Sequence, residues 1–473
     1  MPVDVQMSRN RIMPGRAALS RSAAWAIFAA MIVGHAAAAG AQPAVAVSSR
    51  VDVTSSLTRL SVDLTAPVPA RAFVLSDPDR VVIDLPEVNF QIDASAGRAG
   101  QLTAPAKPLP AAAPSLGKGR QGRGHNAAVA ANPVGLSLIR AYRFGMLGPG
   151  RSRIVIDLTG PARIIRALAE PIAQGSPARL VVELASTDRD AFVAEAALAA
   201  KLQAQPQASE PPAPLAAASG RPVIVIDPGH GGIDAGASGL SGSVEKILVY
   251  DFSLALAAKL EAAGAYEVIL TRKGDIFVSL GDRVKIARDR QAALFVSIHA
   301  DTLSDSAKVQ GATIYTVSEN ASDQEAGRIA EKENQADSAA GVDGREEASG
   351  VSDILFDLTR RETRAYSHLF ARTLVGVWQA AGRLNKNPQR SAGFKVLKAP
   401  DVPSVLIELG YLSSEQDVAA LNSAEWRDKA SSTIAQSIGQ FFLGRVASLP
   451  GGGAAPVASG QVHAGAAVAP ALH

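Results

Sequence analysis

Two histidines in this chain follow strand-like runs and stand where the edge of a sheet could present them. Val223-Ile224-Val225-Ile226-Asp227 breaks at Pro228-Gly229 and is followed by His230, Gly231 and Gly232. A β-branched run ended by Pro-Gly reads as a buried parallel strand that throws the next side chain out at its carboxyl edge. Ala293-Leu294-Phe295-Val296-Ser297-Ile298 ends the same way in His299, with Ala300 and Asp301 after it. Open α/β sheets keep their sites in the crevice outside the carboxyl ends of the strands, so the two imidazoles are expected to share one. The chain has seven histidines and no cysteine. Disulfides, thiolate nucleophiles and Cys-based metal sites are therefore excluded, and a metal here must be held by imidazole and carboxylate. His35, His125, His463 and His473 fall in segments expected to be cleaved or disordered. His368 lies in a helical run among Tyr366, Leu369 and Phe370 and reads as structural.

A catalytic zinc takes three such ligands and keeps one position open for water. Glu245 stands at the start of the helix that follows the Gly-rich loop 229–242, and from there it can swing back to the edge that carries His230. A His-Glu-His set is thus available, although a first-turn Glu that only complements the helix dipole is the alternative. Glu408 ends a third apolar run, Pro403-Ser404-Val405-Leu406-Ile407. A carboxylate among apolar groups has a raised proton affinity and can shuttle protons near neutral pH. A buried ion pair with Arg390 or Lys395 is the other reading, and spacing does not separate the two.

The elements that must position these residues alternate between 221 and 445. Helical patterns over 243–263, 280–292, 361–382 and 424–443 are interleaved with strand patterns over 267–270, 311–317, 394–397 and 404–407. This predicts an α/β domain, a mainly parallel sheet flanked by helices. Ahead of it, 44–188 reads as a small all-β, sandwich-like domain. Leu60-Ser61-Val62-Asp63-Leu64-Thr65 is followed by Arg80 to Leu85, and later Ile154-Val155-Ile156-Asp157-Leu158-Thr159 by Arg179 to Leu184, so that the two halves repeat each other, each with a Pro after its first strand (Pro67, Pro161) and an acidic residue inside both. Period-2 runs that recur as a pair suggest two similar small sheets packed face to face. Between the halves, 94–132 is rich in Ala, Gly and Pro and carries Lys107, Lys118, Arg120 and Arg123, the composition of a disordered insertion. Residues 189–220, with a short helical run near 191–204, read as a linker, and 446–473 as a disordered tail.

At 473 residues the chain has room for two or three domains. A net charge of +3 gives no electrostatic case for nucleic acid. Arg9, Arg11, Arg16 and Arg21 precede an apolar run over 23–39 that ends in small residues, the layout of a signal peptide over 1–41. An uncleaved anchor is the alternative; no later run approaches the length of a membrane span, so an exported, soluble monomer without stable membrane insertion is expected.

Asp227-Pro228-Gly229-His230-Gly231-Gly232, Val244-Glu245-Lys246, Ser297-Ile298-His299-Ala300-Asp301 and Pro403 to Glu408, taken in this order, resemble the zinc-dependent N-acetylmuramoyl-L-alanine amidases of bacterial cell division. The repeated β region resembles the AMIN domain that directs periplasmic members to peptidoglycan, the long basic insertion being a departure from it. The resemblance implies zinc ligands His230, Glu245 and His299, Glu408 as general acid/base, and Asp301 as a possible outer or occasional ligand. It implies cleavage between the lactyl group of N-acetylmuramic acid and L-alanine of the stem peptide, in the periplasm. Within an insertion over 318–356, residues 322–339 form an acidic helix candidate that resembles the autoinhibitory helix of these amidases. That implies a glutamate over the zinc, Glu333 first and Glu331 second, until an activator of the degenerate LytM-domain type displaces it; a solvated surface helix is the alternative. Two other functions stay open: a zinc peptidase acting within the stem peptide, and a nonenzymatic peptidoglycan-binding protein.

Overall fold

Alternating apolar residues between 44 and 186 form two antiparallel-rich sheets in the computed structural model. It describes residues 43–93, 95–98, 137–172, 177–203, 220–303, 309–342 and 354–447. The expected signal peptide, most of the insertion 94–132, the second half of the linker and nearly all of the tail lie outside the described residues. Strands β1 (Ala44–Val53), β2 (Thr58–Leu64), β5 (Val88–Phe90), β8 (Ala162–Pro171) and β9 (Ala178–Ser186) make one sheet, in the order β5-β1-β2-β9-β8. Strands β3 (Arg71–Leu75), β4 (Arg80–Pro86), β6 (Ile139–Gly148) and β7 (Arg151–Leu158) make the other, in the order β3-β4-β7-β6. The sheets share one core, with Leu60, Val62, Leu180 and Val182 facing Val81, Ile83, Ile154 and Ile156. A sequence repeat is therefore not a sheet. β2 pairs with β9 and β4 with β7, so each half of the repeat contributes to both layers, because the first strand of each half pairs with the second strand of the other.

Two segments depart from the sequence reading here. Residues 95–98 form a turn whose Gly97 carbonyl accepts from the Tyr142 amide at 2.8 Å, so the start of the expected insertion is ordered. The helical run expected near 191–204 is present as α1 (Arg189–Gln203), and it departs from a linker in its packing, because Phe192 and Ala196 bury themselves in the core of the β domain.

The second domain is a six-stranded sheet among the described residues, in the order β11-β10-β12-β15-β13-β14. Its strands are β10 (Val223–Pro228), β11 (Glu267–Leu270), β12 (Leu294–His299), β13 (Ala312–Val317), β14 (Leu384–Ala392) and β15 (Ser404–Glu408). All neighbouring pairs run parallel except β13 with β15. The apolar runs are continuous because both faces are covered. Ile224, Ile226, Val296 and Ile298 pack under α2 (Glu245–Ala262), α6 (Ile354–Val377) and α8 (Ala424–Ala447) through Phe252, Phe370, Ile434 and Phe441. Val225, Phe295, Tyr315 and Leu406 face α3 (Leu280–Asp289) and α4 (Gln324–Glu333) through Ala287 and Ile329. Two short helices, α5 (Ala336–Ala339) and α7 (Glu415–Leu421), complete the described set.

The expected strand over 394–397 is a single 3-10 turn, Lys395–Leu397, whose Val396 and Leu397 are buried against the sheet face with Phe394. The strand lies earlier, in β14, whose polar sequence with Pro388 hides it from a hydrophobic pattern. An edge position tolerates both, since one side of the strand has no ladder to complete. The long helix starts at Ile354 and ends at Val377, ahead of the expected 361–382. Among the described residues no helix is long and apolar enough to cross a membrane.

Candidate active site

Three strand ends build the site. β10 pairs with β12 so that Asp227 stands beside Ser297, and β12 pairs with β15 so that His299 stands beside Glu408. His230 follows β10 at a φ of 57°, a left-handed turn that lifts its ring over the sheet edge. The turn is held from below by Arg283, which donates to the His230 carbonyl at 2.8 Å and to the Pro228 carbonyl at 2.9 Å. The guanidinium also pairs with the fully buried Asp227 at 2.7 Å. Burial alone would push the Asp227 carboxyl up, but Arg283 and the hydroxyls of Thr271 and Ser297 outweigh it and hold it below the usual carboxylate range.

Glu245 opens α2 and is fully buried. Its carboxylate accepts from the backbone amides of Ala237 at 2.8 Å and Ala300 at 2.9 Å. It then reaches His230 Nε2 at 3.1 Å and His299 Nδ1 at 3.2 Å. Gly236 makes this approach possible: at a φ of +67° it carries no Cβ, which would otherwise fall 2.7 Å from the Glu245 carboxylate. The structure thus brings His230, Glu245 and His299 together, and the first-turn glutamate bridges two imidazoles and two backbone amides besides opening its helix.

On its other nitrogen, His230 Nδ1 lies 2.8 Å from the Asp234 carboxylate. That contact makes Nδ1 an N–H donor and turns Nε2 toward Glu245. His230 Nε2 and His299 Nδ1 are buried and have no hydrogen-bond partner, and the same holds for Glu408 Oε1 and Asp301 Oδ2. Glu408 is fully buried, with Oε2 fixed by the Asp301 amide at 2.9 Å. Neither Arg390 nor Lys395 pairs with it; Arg390 instead binds Asp323 and Glu325, the latter at 2.9 Å. Burial first, then Asp301, Glu245 and Glu333, push the Glu408 carboxyl well above the ordinary carboxylate range.

The insertion completes the site. Helix α4 is capped by Asp323, which accepts from the Ala326 amide, and it buries Ala326, Ile329, Ala330 and Glu333. Those four positions lie at i, i+3, i+4 and i+7, one face of the helix. Ile329 and the two alanines dock beside Phe394 and Val396, and this carries Glu333 Oε2 to 3.2 Å from His299 Nδ1 and 3.5 Å from His230 Nε2. The solvated-helix alternative fails on that buried face. Glu331, two residues earlier, is rotated about 200° away and is exposed, so it does not reach the site. Lys332 pairs with Asp301, which is itself buried. His230, His299 and Glu333 together could hold a metal ion, their ligand atoms lying within 4.8 Å of one another. His368 stays within α6, near Thr316 and Gln389, as a half-buried structural group.

Three residues of this site escaped the sequence reading. Asp234 had a signal, a carboxylate four residues beyond His230 in a Gly-rich turn. Arg283 and Lys332 had none, because each acts across a distance in sequence that only the fold closes.

A mainly parallel sheet thus gathers two imidazoles and several buried carboxylates at its carboxyl edge, where α/β enzymes keep their sites. Residues 224–440 match the N-acetylmuramoyl-L-alanine amidase family. The chain is 30% identical over 405 residues to the N-acetylmuramoyl-L-alanine amidase AmiC of Escherichia coli O6:H1, a match spanning 84% of this chain and 89% of that protein. It is 36% identical over 224 residues to AmiA of Escherichia coli K12, spanning 47% of this chain and 77% of that one. Among solved structures, AmiC2 of Nostoc punctiforme aligns at 27% identity over 48% of this chain and 99% of its own, with a TM-score of 0.34. The chain belongs to the N-acetylmuramoyl-L-alanine amidase family.

Proposed function

We propose that this protein is a zinc-dependent peptidoglycan hydrolase that cleaves the amide between N-acetylmuramic acid and L-alanine of the stem peptide, during daughter-cell separation and wall remodelling. The observation that carries the reading is the convergence of two imidazoles on carboxylates: the Glu245 carboxylate lies 3.1 Å from His230 Nε2 and 3.2 Å from His299 Nδ1, and neither nitrogen has a hydrogen-bond partner. Two buried imidazole nitrogens that face carboxylates without a hydrogen-bond partner are costly unless a proton or a cation joins them, and imidazole with carboxylate is a donor set that suits zinc. His230, Glu245 and His299 would hold it. Zinc bound there supplies positive charge that polarises the scissile carbonyl and lowers the pKa of water.

The chain's own groups do the rest. Glu408 keeps one oxygen pinned by the Asp301 amide and one free, so Oε1 is the atom that takes the proton of the attacking water and returns it to the leaving amine. Asp234 keeps the proton of His230 on Nδ1. Glu333 stands over both imidazoles, and in this reading it blocks the site until an activator of the degenerate LytM-domain type draws α4 away. The β domain would direct the enzyme to peptidoglycan in the periplasm, after export by the N-terminal segment.

Digestion of purified sacculi by the full chain, with α4 released by Glu333→Ala, tests the reading. Chelation should abolish release, and mass spectrometry should find free stem peptides that begin at L-alanine. Peptides cut internally, with L-alanine still joined to the disaccharide, would assign a stem-peptide peptidase. Bound but uncut sacculi would assign a nonenzymatic binder.

A further inference from the structure

Strands β4 and β7 of the β domain build a face that the proposed activity does not use. Arg80-Val81-Val82-Ile83-Asp84 and Arg153-Ile154-Val155-Ile156-Asp157 pair antiparallel in β4 and β7, with Arg80 opposite Asp157, Val82 opposite Val155 and Asp84 opposite Arg153. Alternation sends Val81, Ile83, Ile154 and Ile156 into the shared core of the sandwich. The other face is left with arginines and aspartates around a central Val82 and Val155. That face is covered by the segment that leaves α4.

The covering contacts are specific. Arg80 donates to the Ser338 carbonyl and Arg143 to the Ala339 carbonyl. Arg153 donates to the Ala340 carbonyl at 3.1 Å and the Gly341 carbonyl at 2.8 Å. Two of the guanidiniums are aimed by bidentate carboxylates: Asp84 holds Arg153 at 2.6 and 3.0 Å, and Asp157 holds Arg143 at 2.7 and 3.1 Å. Gly341, at a φ of +66°, lies over the centre of the face, where a Cβ would fall 3.0 Å from Val82 and 3.5 Å from Val155. Ala340 is fully buried there, in a cluster with Phe73, Val82, Val155, Ile233 and Phe277. Through Ile233 the same cluster includes the loop beyond His230, whose Ile233 amide donates to the Met146 carbonyl at 3.1 Å.

We propose that the Arg80, Arg143 and Arg153 face of the β domain is a receptor for residues 338–341, and that by holding this segment it keeps Glu333 seated on the two histidines. The β domain is then the latch of the closed state as well as a targeting module. This rests on the reading of Glu333 as the blocking group. Only four residues separate Glu333 from Ser338, so the anchored segment restricts how far α4 can swing. Carbonyls are shared by every residue type, so the receptor reads the backbone shape of the helix end together with the absence of a side chain at Gly341.

The test compares the parent full chain with two variants by amide hydrogen exchange over residues 324–342. Arg143→Gln with Arg153→Gln alters the receptor on the face turned away from the sandwich core. Gly341→Val leaves the β domain untouched and unseats the segment, so a folding defect in the first variant does not decide the result. Each lost guanidinium–carbonyl bond changes the opening equilibrium by about tenfold. Both variants should therefore exchange at least about tenfold faster over α4, with β4 and β7 unchanged, and should hydrolyse sacculi faster than the parent. Parental exchange over α4 in both variants, beside a Glu333→Ala chain that is activated, overturns the latch and leaves the blocking role standing. A Glu333→Ala chain no faster than the parent overturns the blocking role, and the regulatory latch with it.

Discussion

Replacing Glu333 by alanine removes the contacts at 3.2 and 3.5 Å to His299 and His230 without touching the apolar seat of α4. With a zinc ion held by the two imidazoles the Glu333 carboxylate would face a cation, an interaction worth about 3 kcal/mol, or roughly a hundredfold in the closed-to-open ratio. A weaker interaction of about 1.5 kcal/mol sets the floor of the effect at about tenfold. Ile329 stays buried in the variant and holds the helix by about 2 kcal/mol, so α4 opens more often without melting away. The expected outcome is a rise of about tenfold to a hundredfold in release of dye-labelled fragments from sacculi by the full chain, without any activator. Zinc content and melting temperature are measured alongside. A variant that is folded and equally zinc-loaded yet no faster than the parent refutes the argument that this carboxylate blocks the site.

Other consequences follow from the same geometry. Glu408→Gln keeps the pinned oxygen and removes the proton shuttle, so hydrolysis by the activated chain should fall by about a hundredfold to ten-thousandfold while zinc stoichiometry, read by elemental analysis, is retained. Asp234→Asn should weaken zinc binding by about tenfold to a hundredfold in competition with a chromogenic chelator, because His230 loses the partner that fixes its tautomer. Asp227 has a folded-state pKa held below its unfolded value, so its ion pair with Arg283 adds stability above the ordinary carboxylate range and loses it as pH falls through the depressed folded value. Melting curves should therefore show Asp227→Asn well below the parent at pH 7, with the gap closing on acidification. A gap that does not depend on pH would count against the ion pair as its source.

Much of the catalytic half is legible without coordinates. The runs that end in His230, His299 and Glu408 are apolar, rich in Val and Ile and stopped by Pro-Gly, His or Glu, the pattern of parallel strands buried on both faces. Glu333 is legible in part: its residue type and its insertion are visible, but the choice between it and Glu331 depends on which helix face Ala326, Ile329 and Ala330 turn inward. β14 is missed because an edge strand needs no apolar pattern, and 394–397 is misread because an apolar run can be buried as a turn.

Local pattern in the chain was enough to decide which residues end strands, and so which imidazoles and carboxylates reach the edge of the sheet. Partnership was decided only in three dimensions. β4 with β7, Arg283 with the His230 carbonyl, Lys332 with Asp301 and the arginines of one domain with the helix end of another are joined across tens to hundreds of residues. A strand or a guanidinium carries no label for its mate. Backbone ladders and buried charges accept whatever complementary group the packing delivers, and that delivery is a property of the whole fold.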